Sequence, residues 1–238
     1  MSYTLESLSP LKRQWLLRNS NIPRRFLGME PKDIKGSFPV EIDDWIDDVI
    51  DGNVIKQIGG LGITGVGLLF DGGPGIGKTT HAVLTAMELV RRMPQDEDEA
   101  RKILRMNSSD FGFNAHPIYY ITYPEFLSRK KSTFDALPED RREEMSFIDG
   151  MHGRSRQDWF NVRILVIDDL GKEYGSKYDD SSFDEILRAR YDKALPTIVT
   201  TNVRLENWEG KYGEAMASFA HEAFTRVPIV GSDLRGAR

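Results

Sequence analysis

The run Gly72-Gly73-Pro74-Gly75-Ile76-Gly77-Lys78-Thr79 decides how this chain is read. It fits G-x-x-x-x-G-K-[ST] at every fixed position. A short apolar run, Val66-Gly67-Leu68-Leu69-Phe70, precedes it as a strand, and a helix follows from about Lys78 to Arg92. Glycines in such a turn let the backbone curl until successive N–H groups point inward at an anion, at the positive end of a helix. Lys78 then supplies a mobile cation for β- and γ-phosphates, and the Thr79 hydroxyl can ligate Mg²⁺. Residues Gly72 through Thr79, with Thr80 beside them, are therefore expected to hold a nucleoside triphosphate, ATP with Mg²⁺.

From Gly65 onward strands and helices alternate. Ile118–Tyr123 is β-branched and aromatic, a second strand, with Pro124 placed to start the next helix. Arg163–Asp168 is a buried strand with no polar alternation until its acidic end. Ser181–Leu195 reads as a helix, Thr197–Thr201 as a fourth strand and Val227–Val230 as a short fifth. Continuous apolar strands separated by helices imply an α/β fold, a parallel sheet covered on both faces, with ligands beyond the carboxyl ends of its strands.

Two strand ends carry chemistry. Four apolar residues lead into Asp168-Asp169. Asp168 is expected to hold Mg²⁺, directly or through water, and Asp169 to polarise an attacking water. The second acid separates hydrolytic motor-type ATPases from most P-loop kinases and GTPases. Asp169 is one methylene shorter than the glutamate usual in such motors, so slow intrinsic hydrolysis is expected. The fourth strand ends Thr200-Thr201-Asn202, where Asn202 is placed to hydrogen-bond the attacking water or the γ-phosphate. An asparagine after a strand is also a common turn former.

Composition narrows the class. The chain of 238 residues has no cysteine, which removes disulfide scaffolds, zinc ribbons, iron–sulfur centres and thiol nucleophiles. With 39% hydrophobic and 29% charged residues it is globular. No apolar run approaches ~20 residues, and Met1–Glu6 lacks the basic start of a signal peptide. A soluble, cytoplasmic protein with no membrane partner is the expectation. A net charge of −5 argues against a uniformly basic nucleic-acid binder, so any such site must be a local patch. Residues 1–35 hold seven basic side chains against three acidic ones. They read as a basic N-terminal arm ahead of an ATPase domain over 36–238. Between Glu41 and Asp51 acidic residues interleave with Ile42, Trp45, Ile46, Val49 and Ile50, an amphipathic helix whose acidic face is solvated surface or a partner site. The polar stretch from Pro94 to His116, with its acidic run Asp96–Glu99, reads as a loop with a frayed helix.

With these motifs in place the chain resembles the AAA+ ATPases of the DnaC-type helicase-loader group, close to the IstB-type transposition ATPases. The resemblance runs from about Ile22 to Arg235. It rests on Ile22-Pro23-Arg24-Arg25-Phe26, the phosphate loop, Ile164–Gly171, Thr201-Asn202 and the stretch from His221 to Arg235. It implies a five-stranded parallel sheet in the order 5-1-4-3-2. It also implies that Arg226, in Ala223-Phe224-Thr225-Arg226-Val227, is an arginine finger reaching a neighbouring subunit's γ-phosphate, on the connection into the last strand. Arg235, in Gly231-Ser232-Asp233-Leu234-Arg235, matches a second sensor acting within its own subunit. Either arginine is otherwise a surface salt bridge. The chain departs from the pattern at Thr225, where an aspartate is frequent, and in having no cysteine-rich N-terminal module; residues 1–35 become a candidate helicase-binding segment.

Ser128-Arg129-Lys130-Lys131-Ser132-Thr133-Phe134, followed by Arg141, Arg142, Arg154 and Arg156, suits single-stranded DNA, since cations track the backbone and a ring stacks on a base. The alternative is a solvated helix with Phe134 in the core. The resemblance adds Ser176-Lys177-Tyr178 after the acidic strand and assigns Phe134 to the same surface. The four histidines show no ligand spacing. The reading that results is a slow ATPase, working at subunit interfaces of a ring or open spiral, that loads a replicative helicase onto single-stranded DNA. Its small size is compatible with a phage-encoded loader. The rivals are an IstB-like ATPase acting on duplex DNA and a P-loop small-molecule kinase.

Overall fold

Five runs of β-branched and aliphatic residues form the central sheet: β1 Gly67–Asp71, β2 His116–Thr122, β3 Val162–Leu170, β4 Thr197–Thr201 and β5 Phe224–Pro228. The computed structural model describes residues 5–34, 38–58, 62–104, 106, 116–153, 160–172 and 176–229. All pairings in this sheet are parallel and the order is β5-β1-β4-β3-β2, the order expected. Every residue of β1 and β4 is buried, so both faces of the sheet centre are covered. A separate antiparallel hairpin, Ile55–Ile58 with Gly62–Gly65, precedes β1 and was not anticipated.

The helices are α1 Pro10–Gln14, continued by a π-helical turn Trp15–Asn19, then α2 Val40–Ile50, α3 Lys78–Arg92, α4 Glu97–Ile103, α5 Tyr123–Asp135, α6 Pro138–Met151, α7 Lys177–Tyr191, α8 Trp208–Tyr212 and α9 Glu214–Ala223. In α2 the apolar stripe Ile42, Trp45, Ile46 and Val49 is buried as expected, and Trp45 Nε1 donates to the Val66 carbonyl at 2.9 Å. Inside the expected loop, α4 forms because the Asp96 carboxylate accepts from the Asp98 and Glu99 N–H groups, with acidic residues in its first turn. α7 starts four residues before the expected Ser181. Ser176 and Asp179 form a reciprocal capping box, which fixes the start at Lys177. Among the described residues no helix is long and apolar enough to cross a membrane.

The described part of the expected basic arm is built onto this core. Leu8, Trp15, Leu16, Ile22 and Phe26 are buried in the same cluster as the sheet. Lys12 is buried too; its ammonium donates to the Arg91 carbonyl at 3.3 Å and to that of Met93, so it closes the C-terminal end of α3. Ser20 O accepts the Tyr120 N–H at 2.7 Å, and Asn21 Nδ2 donates to Tyr120 O at 2.9 Å. Those bonds cover the outer edge of β2.

Arg190 fixes the opposite end of the sheet. It is fully buried, and its donors go to Met151 O at 2.7 Å, Val162 O at 3.1 Å, Arg163 O at 2.8 Å, Pro196 O at 3.2 Å and Thr197 Oγ1 at 2.9 Å. Burial pushes its pKa down to about 9, which leaves it charged at neutral pH. One guanidinium thus ties α7 to the end of α6 and to the starts of β3 and β4. Arg190→Met should destabilise the fold by at least about 3 kcal/mol, since four carbonyls lose a charged donor. Urea unfolding reads this as a lower midpoint at unchanged slope; a loss below about 0.5 kcal/mol, the size of an ordinary surface change, would contradict it.

Candidate active site

The phosphate loop joins β1 to α3 at the carboxyl end of the sheet. Its path takes three glycines through positive φ: Gly72, Gly75 and Gly77. Gly72 has φ 145°, and a Cβ there would lie 2.6 Å from Ile229 O; Gly77 has φ 96° and leads directly into α3. Lys78 Nζ donates to Gly72 O at 3.0 Å, Gly73 O at 2.6 Å and Asn202 Oδ1 at 2.8 Å. The expected cation and the expected sensor, 124 residues apart in sequence, are therefore in direct contact. Pro74, Gly75, Gly77, Lys78, Thr79 and Thr80 line a cavity of about 280 Å³, together with Asp169, Asn202, Lys172, Arg25 and Phe26. Gly72, Gly73 and Ile76 face a second cavity of about 380 Å³, shared with Asp71, Glu206 and Arg226.

Asp168 is buried at 3% exposure and accepts from three hydroxyls. Thr79 Oγ1 lies 2.8 and 3.1 Å from its two oxygens, Tyr120 Oη donates to Oδ2 at 2.7 Å, and Thr200 Oγ1 donates to Oδ1. Burial, and then the charge of Asp168, push the Tyr120 phenol far above its ordinary pKa, so it stays a donor. A threonine hydroxyl against a buried carboxylate is a hard-oxygen donor pair that fits Mg²⁺.

Asp169 would face away from Asp168 on a regular strand, because successive side chains alternate. It does not, because β3 shifts register between Ile167 and Leu170 and Asp169 adopts φ 62°. A bulge of this kind re-aims a side chain, and here it turns Asp169 into the same cavity. Its N–H donates to Thr200 Oγ1 at 3.0 Å, and its carboxylate accepts from Lys172 Nζ at 2.6 Å. Thr200 thus braces both acids.

Arg226 lies within β5, not on the connection into it, because the strand begins at Phe224, three residues before the expected start. Its guanidinium is held in its own chain: Nε and Nη2 donate to Asp71 at 3.0 and 2.7 Å, and Nη1 to Glu206. Those hydrogen bonds raise the Arg226 pKa further and hold the Glu206 carboxyl below its usual range. Asp71, 1% exposed, also accepts the Leu205 N–H at 3.0 Å. Arg235 lies outside the described residues, as do Val230, Arg154 and Arg156.

The expected DNA-contacting residues come together from two helices. The Phe134 ring, 60% exposed and not in the core, meets the Tyr178 ring edge-on at 5.8 Å. Lys130 Nζ and Lys131 Nζ sit 5.6 and 5.7 Å from the Tyr178 ring centroid. Lys130 also donates to Glu185 at 2.7 Å and Lys131 to Asp179 at 2.7 Å. Ser176 is the N-cap of α7. Arg141 donates to Thr133 O at 2.6 Å and Phe134 O at 2.8 Å, closing the end of α5.

Sequence reasoning missed Tyr120, Thr200, Lys172 and Asp71. Only strand register would have found Tyr120, which pairs with Val166 and so sits diagonal to Asp168. Arg25 belongs to the segment Ile22–Phe26, where nothing in the sequence places it at the cavity lined by Lys78 and Thr79.

The sequence matches no family model and no curated protein. Solved structures do match. A crystal structure of DnaI superposes with a TM-score of 0.57 at 19% identity, covering 93% of this chain and 98% of that one. The DnaC helicase loader gives 0.53 at 18% identity, covering 87% and 100%. The replication initiator DnaA bound to AMPPCP and single-stranded DNA gives 0.53 at 13% identity, covering 90% of this chain and 52% of that one. The chain therefore shares its fold with DnaI, the DnaC helicase loader and the matching part of DnaA.

Proposed function

We propose that this protein is an ATP-dependent helicase loader of DNA replication, which binds ATP with Mg²⁺ and single-stranded DNA and delivers a replicative helicase. The observation that carries the ATPase part is the convergence of Lys78, Thr79, Asp169 and Asn202 at one cavity, with Asp168 hydrogen-bonded to Thr79 behind it. The loader part is supported by the likeness in fold to DnaI and the DnaC helicase loader, over nearly the whole of each.

The chain's own groups divide the work. Backbone N–H groups of Gly75–Thr79 and the Lys78 ammonium bind phosphate oxygens. Thr79 Oγ1 and the Asp168 carboxylate hold Mg²⁺, which supplies positive charge to the triphosphate when bound. The Asp169 carboxylate orients the attacking water and accepts its proton. Asn202, through its contact with Lys78, reports the state of the phosphates to β4. Lys172 sits on Asp169 and must yield for proton transfer, which accords with slow turnover. Hydrolysis is proposed to be completed at a subunit interface by Arg226, exchanging Asp71 and Glu206 for a neighbour's phosphate within a ring or open spiral. Phe134 and Tyr178 stack on bases while Lys130 and Lys131 exchange their carboxylate partners for backbone phosphates.

Lys78→Ala should weaken ATP binding by about 1.5–3 kcal/mol, the size of a charged hydrogen bond. Asp169→Asn should keep ATP bound and stop turnover, because asparagine tolerates positive φ and leaves the bulge intact. Titration of a fluorescent ATP analogue and a phosphate-release assay read the two; wild-type hydrolysis in Asp169→Asn would place the base elsewhere. For DNA, Phe134→Ala and Tyr178→Ala should each cost about 1–3 kcal/mol of single-strand affinity with the salt slope kept, while Lys130→Ala with Lys131→Ala should flatten that slope. Unchanged binding in all of them would remove the site. Mixing Lys78→Ala with Arg226→Ala, each inactive alone, should restore some hydrolysis by pairing an intact nucleotide site with an intact finger. No recovery despite demonstrated co-assembly would leave Arg226 as the partner of Asp71 and Glu206 only.

A further inference from the structure

We propose that Tyr120 is a positioning residue for the metal site, holding the Asp168 carboxylate in the orientation in which it takes a divalent cation with Thr79; this rests on the nucleotide reading above. Tyr120 lies on β2, in register with Val166, so its ring runs diagonally along the strand pair towards Asp168. The ring is 5% exposed and its hydroxyl lies 2.7 Å from Asp168 Oδ2. The N–H and carbonyl of Tyr120 are both held on the outer edge, by Ser20 and Asn21, while the strand pairs with β3 on the other, so the phenol is aimed by packing and by a fixed backbone.

Of the three hydroxyls on Asp168, Thr79 is the one that also lines the nucleotide cavity and would share the cation. Tyr120 and Thr200 are not among the residues lining that cavity. They act through Asp168, one on each carboxylate oxygen, and so resist rotation of the group when Thr79 turns to the metal. Partners of this kind orient a ligand without touching the ion, and their loss commonly costs about 10–100-fold in metal affinity. The N-terminal segment, by holding Tyr120, becomes part of the support of the metal site.

The test is Tyr120→Phe in the full chain, which removes one oxygen and keeps the buried ring. Affinity for a fluorescent ATP analogue is measured across a Mg²⁺ titration and again in EDTA. Tyr119→Phe serves as control, because that ring packs against Phe147 and Phe160 instead. The expected result is a rise of about tenfold or more in the Mg²⁺ concentration for half-maximal effect, with affinity in EDTA unchanged and Tyr119→Phe like wild type. A wild-type Mg²⁺ dependence in Tyr120→Phe would overturn the proposal while leaving the nucleotide site standing. An equal loss of affinity with and without Mg²⁺ would also overturn it, as a general disturbance of the pocket. A wild-type protein whose nucleotide affinity ignores Mg²⁺ would overturn this proposal together with the metal site it supports, and one that binds no nucleotide would overturn the reading on which it rests.

Discussion

One buried carboxylate sets the terms for the rest of this site. Asp168 sits on a central strand of the sheet, and a charge there is tolerated only because hydroxyl donors replace the water it lost. Those donors come from three elements: Thr79 on α3, Tyr120 on β2 and Thr200 on β4. The sheet order makes this convergence possible, since β3 lies between β2 and β4. Satisfying Asp168 therefore fixes the start of α3, and with it the phosphate loop, against the two neighbouring strands. Stability and chemistry share the same bonds.

The second acid depends on a departure from regular structure. A straight β3 would send Asp169 to the far face. The bulge and the positive φ go with a side chain that lines the same cavity as Thr79, with Thr200 accepting its N–H. Strained backbone of this kind persists where its surroundings hold it. A similar economy joins Lys78 to Asn202, so that the loop and the end of β4 respond to one another directly. On the other side of the loop Asp71 gathers Arg226 and the Leu205 N–H, linking the start of the loop to the edge strand β5.

The parts legible in the sequence were those decided by short-range physics. The glycine spacing of the loop, the apolar strands and the acid pair each announce themselves within a few residues, and the loop and β1 to β4 lie within about two residues of expectation, whereas β5 starts three residues early. Helix starts were misread where a side-chain cap went unrecognised: Ser176 and Asp179 move α7 forward, and Asp96 turns a polar stretch into α4. What could not be read depends on register and on partners distant along the chain. Tyr120 looks like any β-sheet aromatic until its strand is set beside β3. Arg226 gives no sign in sequence of Asp71, 155 residues away. Residues 1–35 read from their charge as a basic arm, and that charge gives no sign that Trp15, Leu16, Ile22 and Phe26 are core residues or that Lys12 is spent on α3.

The central claim is that these residues form one Mg²⁺–nucleotide site. A crystal structure of the protein soaked with AMPPCP and MgCl₂ tests it most directly. The account predicts triphosphate density inside the loop within hydrogen-bond reach of Lys78, and a metal bound between Thr79 and the Asp168 side, with Tyr120 still on Asp168. Phosphates bound away from the loop, or a filled loop whose metal ignores both Thr79 and Asp168, would contradict it.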